Sequence, residues 1–456
     1  MSGMYKTEVP LYGNLMQIVR NVNEETLRNS SDPAITSLRN GDVASERLDL
    51  ERHGAIRLGT PHELQTVRRI FSLIGMYPVG YYDLSEAGLP MHATCFRPTD
   101  PAALKKNPFR VFTTLLRPDL VQDATSRVLA LDLLNRRNIF SPELMHMLDI
   151  ADRQGGYLTS VQAETFVQET MKTFGWRPVA AASKETYEQL KREHPILADI
   201  ACFQSSHINH LTPRTLDISA AQDRMKAGGL NVKDRIEGPP PRDCPILLRQ
   251  TSFLALEERI MFPLSNGELE EGSHKARFGE IEERGAAVTK RGRELYDSLL
   301  NEAMEKISKD PGTYSTQQQE KTLARVFSKY PDTWEELREQ GLVHFHYRCW
   351  SSDGAKKPIP GYTLEDYLRE KMIEAVPITY EDFLPLSAAG IFQSNLQTGK
   401  RTIGRTLVAQ PDLLGYEKAL GCPIMDLDAV YTKSEQGSLR QCARELKLNE
   451  ETFLRV

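Results

Sequence analysis

The sequence predicts an α+β fold built around two similar modules, each a strand, a helix and then further strands. Three observations lead there. A histidine–arginine phrase occurs twice, each time on a segment that reads as a strand: His53-Gly-Ala-Ile-Arg57 in ERHGAIRLGT, and His210-Leu-Thr-Pro-Arg214 in SHINHLTPRT. Each copy is followed by a helical segment and then by strand-like runs. A third phrase, FGEIEERG, closes the second string and sets Glu280 four residues before Arg284. One phrase at the head of two like strings of elements marks an internal duplication.

Taken in order, residues 1–48 read as a polar N-terminal helical arm, with Leu15, Ile18, Val19 and Val22 at helical spacing. Residues 50–59 alternate as a strand. Thr60-Pro61-His62-Glu63 then opens a helix, with Thr60 as N-cap, Pro61 at the first helical position and Glu63 at the capping-box position. Its apolar face carries Leu64, Val67, Ile70 and Phe71. The runs YPVGYYDL, LPMHATCFRP and FRVFTTLLRP follow as strands and complete a first module over 49–118. Residues 119–203 are helical in pattern and read as an insertion. The second module, 204–286, begins with SHINHLTPRT. Asp217 or Ser219 caps the helix ISAAQDRMKAGG, a glycine pair ends it, and VKDRIEG, ILLRQTSFLALEERI and ARFGEIEERG supply three strands. Residues 287–456 form a helical and mixed C-terminal region, with one aromatic strand at LVHFHYRCW.

Composition narrows the class. The 456 residues suggest two or three compact units, or one domain with large insertions. Hydrophobic residues at 40% and charged residues at 26% are ordinary for a soluble globular protein, and a net charge of −5 argues against a nucleic-acid partner. The six cysteines include no Cys-x-x-Cys pair, which fits reduced thiols in a cytoplasmic protein. No signal-peptide pattern opens the chain, and no apolar run reaches the ~18 residues that a membrane span requires.

Residues four apart on a strand share a face. His53 with Arg57, His210 with Arg214 and Glu280 with Arg284 therefore give three strands that could each offer one ligand and one cation to a shared cavity. Two histidines and a carboxylate on separate strands are the set of a 2-His-1-carboxylate iron site, with positions left open for substrate and oxygen. Imidazole and carboxylate also suit Mn(II) and Zn(II), and three ligands without a thiolate favour a catalytic site over a structural one. An isolated histidine on a strand is more often simply packed, so the duplication carries the reading. Rivals exist. His207 lies three before His210 and faces the other way; His210 is preferred because it matches the first copy of the phrase. His344 and His346 share a face of LVHFHYRCW but have no carboxylate phrase beside them. Glu282 shares a face with Glu280, so the ligand could slip by two. His92 lies five before Arg97, on the opposite face, and reads as structural or pocket-lining.

The phrases RHGAIRLGT, HINHLTPRTLDI, FGEIEERG and DFLPLSAAGIFQSNL are similar to those of the 2-oxoadipate dioxygenase/decarboxylase family, also called D-2-hydroxyglutarate synthase. That family belongs to the vicinal oxygen chelate superfamily. The resemblance runs from about residue 45 to about residue 400. It implies paired βαβββ modules forming a metal-centred sheet, with a helical insertion and a C-terminal extension. It implies Fe(II) as cofactor, His53, His210 and Glu280 as metal ligands and catalytic residues, and Arg57 as the arginine that binds a substrate carboxylate. Ser387, in the small and glycine-containing SAAGIF segment, is a further pocket candidate, because backbone can approach a ligand closely there. The implied reaction is 2-oxoadipate + O2 → D-2-hydroxyglutarate + CO2, a step in D-lysine breakdown. The partners are then a 2-oxo dicarboxylic acid and O2, with no nucleic acid and no membrane. Two other classes remain: another metal-dependent enzyme on this scaffold (a lyase, an isomerase or a ring-cleaving dioxygenase), and a non-catalytic ligand-binding protein.

Overall fold

The structure, a computed structural model, describes residues 1–30, 35, 47–308, 315–350, 361–384 and 410–449. The chain divides into two compact units. The first comprises Met1–Glu237, Gln250–Glu283 and Asp382–Met425; the second comprises Gly238–Arg249, Arg284–Glu381 and Asp426–Val456.

The first module contributes β1 (Arg52–Leu58), the helix Pro61–Leu73, β2 (Tyr77–Asp83), β3 (Met91–Arg97) and β4 (Phe109–Leu116). The second contributes β5 (His210–Pro213), the helix Ile218–Ala227, β6 (Leu248–Ser252), a hairpin of β7 (Glu257–Pro263) and β8 (Leu269–Lys275), and β9 (Phe278–Arg284). Seven strands form one sheet in the order β2-β3-β4-β1-β5-β9-β6. In each module the first strand pairs in parallel with the last, β1 with β4 and β5 with β9, and the modules join where β1 runs antiparallel to β5.

The second module departs from the expected strings in two places. VKDRIEG forms no regular strand; it meets the sheet only through isolated bridges, Val232 to Phe253 and Glu237 to Gln250. Those bridges flank β6 and so hold the position that β2 holds in the first module. ILLRQTSFLALEERI splits into β6 and β7, and β7 leaves the sheet to pair with β8. Its pattern explains the exit: Glu257 and Arg259 lie exposed or half-exposed on one face, which a two-stranded ribbon tolerates and a central strand does not.

Every residue of β1 is buried, because both faces of the sheet are covered. One face is apolar. Ile56 and Leu58, with Val111 and Leu115 of β4 and Leu211 of β5, pack on Leu64, Val67, Ile70 and Phe71 of the helix. Burial of each such side chain contributes about 1.5–3 kcal/mol. The helix begins as expected, with Glu63 N donating to Thr60 Oγ1 at 3.2 Å. Glu63 does not close the box on the N-cap residue. Its Oε2 accepts from Gly59 N at 2.7 Å, and both oxygens also bind Arg137 of the insertion, at 2.7 and 2.8 Å. The stronger pull of a buried guanidinium sets the rotamer.

The insertion is helical over Ala124–Arg136, Pro142–Arg153, Ser160–Phe174, Lys184–Glu193 and Pro195–Ala201. The N-terminal arm forms helices Ser2–Glu8 and Pro10–Asn29, and Tyr5 Oη lies 2.7 Å from Phe278 O and 2.9 Å from Asn209 O, where β9 and β5 begin. In the second unit, helices Lys290–Ser308, Thr316–Phe327 and Trp334–Glu339 precede the ribbon of β10 (Phe345–Cys349) and β11 (Ile373–Pro377).

Gly279, between Phe278 and Glu280, is a point of close approach. A Cβ there would run into the Phe253 ring and lie 2.9 Å from Leu15 Cδ2. Gly279→Ala should lower stability by about 1–3 kcal/mol through overpacking. Denaturant midpoints measure this, and an unchanged midpoint would show that the Phe253 ring gives way freely.

Candidate metal centre

The opposite face of the same sheet is apolar over β3 and β4, where Met91, Ala93, Cys95, Phe112 and Leu116 are buried, and polar where β1, β5 and β9 lie together. Alternation along β1 puts His53, Ala55 and Arg57 there, and the register carries the pattern across the strands. His53 stands opposite Arg110 of β4 and Thr212 of β5, Ala55 opposite His210, and Leu211 opposite Gly279 of β9. Thr212 and Glu280 thus fall beside His53 and His210. The two copies of the histidine phrase meet because their strands are the antiparallel pair at the module junction.

His53, His210 and Glu280 are all buried, each offers one ligand atom, and these atoms lie within 4.8 Å of one another; they could hold a metal ion. His53 Nε2 is 2.8 Å from Glu280 Oε2, and His210 Nε2 is 3.7 Å from the same oxygen. Thr212 Oγ1 donates to that oxygen at 2.8 Å and Gln250 Nε2 at 3.1 Å. The other oxygen, Glu280 Oε1, is buried with no hydrogen-bond partner among the described residues. An orphaned buried acceptor costs about 1–3 kcal/mol, more when charged, and a cation at this point would satisfy it.

Glu282 stands apart from this group. Its Oε2 lies 2.8 Å from His53 Nδ1, on the far side of the ring from Glu280, and its Oε1 lies 3.7 Å from Arg110 Nη1. Arg110 Nη2 binds Glu51 Oε1 at 2.7 Å, and Glu51 Oε2 is 3.3 Å from Arg214 Nη1. A chain of alternating charge therefore runs behind His53 and fixes its ring. Phe383 closes another side, edge-on to His53 with centroids 4.9 Å apart, and Phe278 stacks on His210 at 4.8 Å. Arg97 holds both oxygens of Asp382, at 2.7 and 2.8 Å, and so anchors the residue before Phe383.

Burial disfavours a charged His53, but the carboxylates of Glu282 and Glu280 outweigh it and raise the imidazole above its usual pKa. Burial, against the pull of Glu280, drives His210 down to about 3. Burial alone would raise Glu280, yet His210, His53 and the Thr212 hydroxyl hold it below the ordinary carboxylate range. Neutral imidazole and carboxylate are the forms that bind metal, and binding would displace the proton shared between His53 and Glu280.

A family model described as 2-oxoadipate dioxygenase/decarboxylase matches residues 1–395. The chain belongs to the 2-oxoadipate dioxygenase/decarboxylase family. A relative of that name from Shigella flexneri is 46% identical, over 97% of this chain and 96% of its own. One from Pseudomonas putida is 44% identical, over 98% of this chain and 95% of its own. Among solved structures, the hydroxyglutarate synthase of Pseudomonas putida in complex with 2-oxoadipate superposes with a TM-score of 0.86 at 42% identity, covering 98% of this chain and 96% of that one. The α+β architecture of paired modules expected from the sequence is therefore shared with this synthase structure.

Other candidates fall elsewhere. Arg57 is buried on the same face as His53, with Nη1 bonded to Asp199 Oδ2 of the insertion. His207 belongs to a separate buried group with Asp199 and His274. His344 is buried and His346 exposed, because β10 begins at Phe345; within the second unit His344 bonds Glu435 at 3.0 Å and Asp428 at 3.2 Å. Arg284 donates to Tyr380 O, also in the second unit. Ser387 lies outside the described residues. Sequence reasoning missed Gln250, Thr212, Glu51 and Asp199; only the strict alternation along β5 could have flagged Thr212.

His92 packs within the first unit. Its ring packs edge-on against Tyr416 at 4.6 Å, and burial, helped by Arg117, lowers it to about 4.

Two outcomes follow from this geometry. Glu280→Ala should abolish metal binding, whereas Glu282→Gln should weaken it about 10–100-fold by freeing the His53 ring. Metal titration of the purified variants measures both, and equal affinities for Glu282→Gln and wild type would remove the orienting role. For His92, the unfolded chain, with a pKa near ~6.5, takes up its proton first as pH falls. Wild type should then lose about 2–3 kcal/mol more stability than His92→Gln between pH ~6.5 and the folded value. Parallel urea curves for the two proteins across that window would dismiss the assignment.

Proposed function

We propose that this chain is an Fe(II)-dependent oxygenase that converts 2-oxoadipate and O2 to D-2-hydroxyglutarate and CO2. One observation carries the reading most: a buried pair of histidines converges with a carboxylate whose second oxygen has no hydrogen-bond partner among the described residues. Family membership and the 2-oxoadipate complex of the Pseudomonas putida hydroxyglutarate synthase support the substrate. His53, His210 and Glu280 are the ligands in this reading and the residues on which catalysis depends. A nitrogen and oxygen donor set without thiolate suits Fe(II), which supplies, when bound, the electrons that let O2 react with a keto acid.

The rest is done by the chain. The sheet, Phe383 against His53 and Phe278 against His210 exclude water from the ligands. Thr212 and Gln250 fix the rotamer of Glu280, and Glu282 fixes that of His53. Arg57 binds the distal carboxylate. It stands four residues along β1 from His53, a span of roughly 13 Å between the Cα atoms. A six-carbon dicarboxylate held at the metal centre by its keto-acid end, together with an arginine side chain, fills that distance. Ser387 remains a candidate for the pocket. No helix among the described residues is long and apolar enough to cross a membrane, and none of the six cysteines is in a disulfide. Free thiols suit a reducing, cytoplasmic setting, and the family resemblance implies a role in D-lysine breakdown.

Metal-free protein reconstituted anaerobically with Fe(II), then given 2-oxoadipate and air, should consume O2 in step with the keto acid and form D-2-hydroxyglutarate, identified by chiral chromatography. Bound iron without O2 uptake would overturn the proposal. Arg57→Lys should keep its iron and raise KM for 2-oxoadipate about 10–100-fold, the loss expected for one charge-assisted hydrogen bond. Unchanged kinetics would move the carboxylate contact to another residue.

A further inference from the structure

Asp199 comes from neither module. It lies on the helix Pro195–Ala201 of the insertion, all of whose residues from Ile196 to Ala201 are buried. Both of its oxygens are engaged. Oδ2 takes Arg57 Nη1, with Asn209 Nδ2 3.5 Å away. Oδ1 is 2.9 Å from His274 Nε2 and 3.2 Å from His207 Nε2. A carboxylate bonded at both ends cannot turn. His274 is itself fixed: its Nδ1 lies 2.8 Å from Tyr187 Oη, and its ring stacks on Trp176 with an interplanar angle of 13°. His207 meets the edge of the same indole, with centroids 4.6 Å apart.

We propose that Asp199, clamped by His207 and His274, is a positioning residue that sets the direction of Arg57 and thereby the chain length of the keto acid accepted at the metal centre. The inference rests on the substrate reading above. A guanidinium is planar and its donors are fixed relative to one another, so bonding one nitrogen to an immobile carboxylate aims the whole fork. Arg57 shares its strand face with His53, so an aimed fork stands at one distance from the metal ligands. A dicarboxylate one methylene shorter than 2-oxoadipate cannot reach both ends. The partner charge on Asp199 also offsets that of Arg57, which makes recognition depend on reach more than on net charge.

The ligand atoms of Asp199, His207 and His274 also lie within 4.8 Å of one another, close enough to hold a second metal ion. Chemistry favours the clamp. Both imidazole nitrogens approach one carboxylate oxygen at hydrogen-bond length, and the other oxygen already carries a guanidinium. A divalent cation would sit against that charge in a buried, low-dielectric setting.

The test compares kcat/KM for 2-oxoadipate and for 2-oxoglutarate, its homologue one methylene shorter, on iron-loaded protein with metal content measured alongside. Wild type should prefer 2-oxoadipate. Asp199→Asn, which keeps the shape and removes the charge, should keep its iron and lower that preference about tenfold, equivalent to about 1.4 kcal/mol. A merely structural role would lower both substrates together and leave the ratio unchanged, and that result overturns the inference. So does a wild type with no preference. Should Asp199→Asn fail to fold, Tyr187→Phe decides. It removes only the hydroxyl behind His274, and the ratio should fall about threefold, or about 0.7 kcal/mol; an unchanged ratio overturns the inference. Two metal ions per chain in wild type, falling to one in Asp199→Asn, would make the cluster a metal site instead. Failure of the wild type to consume O2 with 2-oxoadipate would be a failure of the proposed function itself, distinguishable because it precedes any variant.

Discussion

Burying Glu280 and Glu282 side by side on β9, both without solvent exposure, obliges the strands around them to supply donors or positive charge. His53 meets both carboxylates at once, through its two ring nitrogens. That single imidazole divides the acids into two kinds. Glu280 faces His210, Thr212 and Gln250; Glu282 faces Arg110, which leads on to Glu51 and Arg214. The first group resembles a ligand set, and the second is an ion-pair network that holds it still. Networks of this kind are costly when incomplete, so they specify one arrangement of the sheet.

The duplicated module explains how two histidines from distant parts of the chain come together. Each module puts its first strand at its edge, and the two first strands pair antiparallel. Equivalent positions on them then fall close across the junction. The duplication is not symmetric. In the converging group of His53, His210 and Glu280 the carboxylate comes from the second module, and Arg57 of the first module is bonded to Asp199 of the insertion.

The insertion is therefore more than a cover. Arg137 reaches back to Glu63 at the start of the first module's helix, and Asp199 reaches Arg57 on β1. Both are buried pairs, for which removing one partner costs far more than the pair contributes. The insertion thus braces the first module at two points, the start of its helix and Arg57 on β1.

Alternation and repetition were enough for the sequence to indicate the modules, the shared face of His53 and Arg57, and the pairing of His53 with His210; the choice of Glu280 over Glu282 came from the family resemblance. Alternation and repetition are local patterns, and strand periodicity translates directly into facing. The N-terminus of the helix after β1 was legible for the same reason, since a cap depends on three consecutive residues. The place of VKDRIEG at the margin of the sheet, the departure of β7 into a hairpin, the part Glu282 plays behind His53 and the clamp on Arg57 were decided by the tertiary structure. Each depends on which distant group lies opposite. Glu282 and Glu280 are alike in sequence, two residues apart on one strand face, and differ only in their neighbours across the sheet. Asp199 and His274 are 75 residues apart in hydrogen-bonded contact, and nothing in either's local sequence names the other, because long-range pairing follows from packing rather than from spacing along the chain.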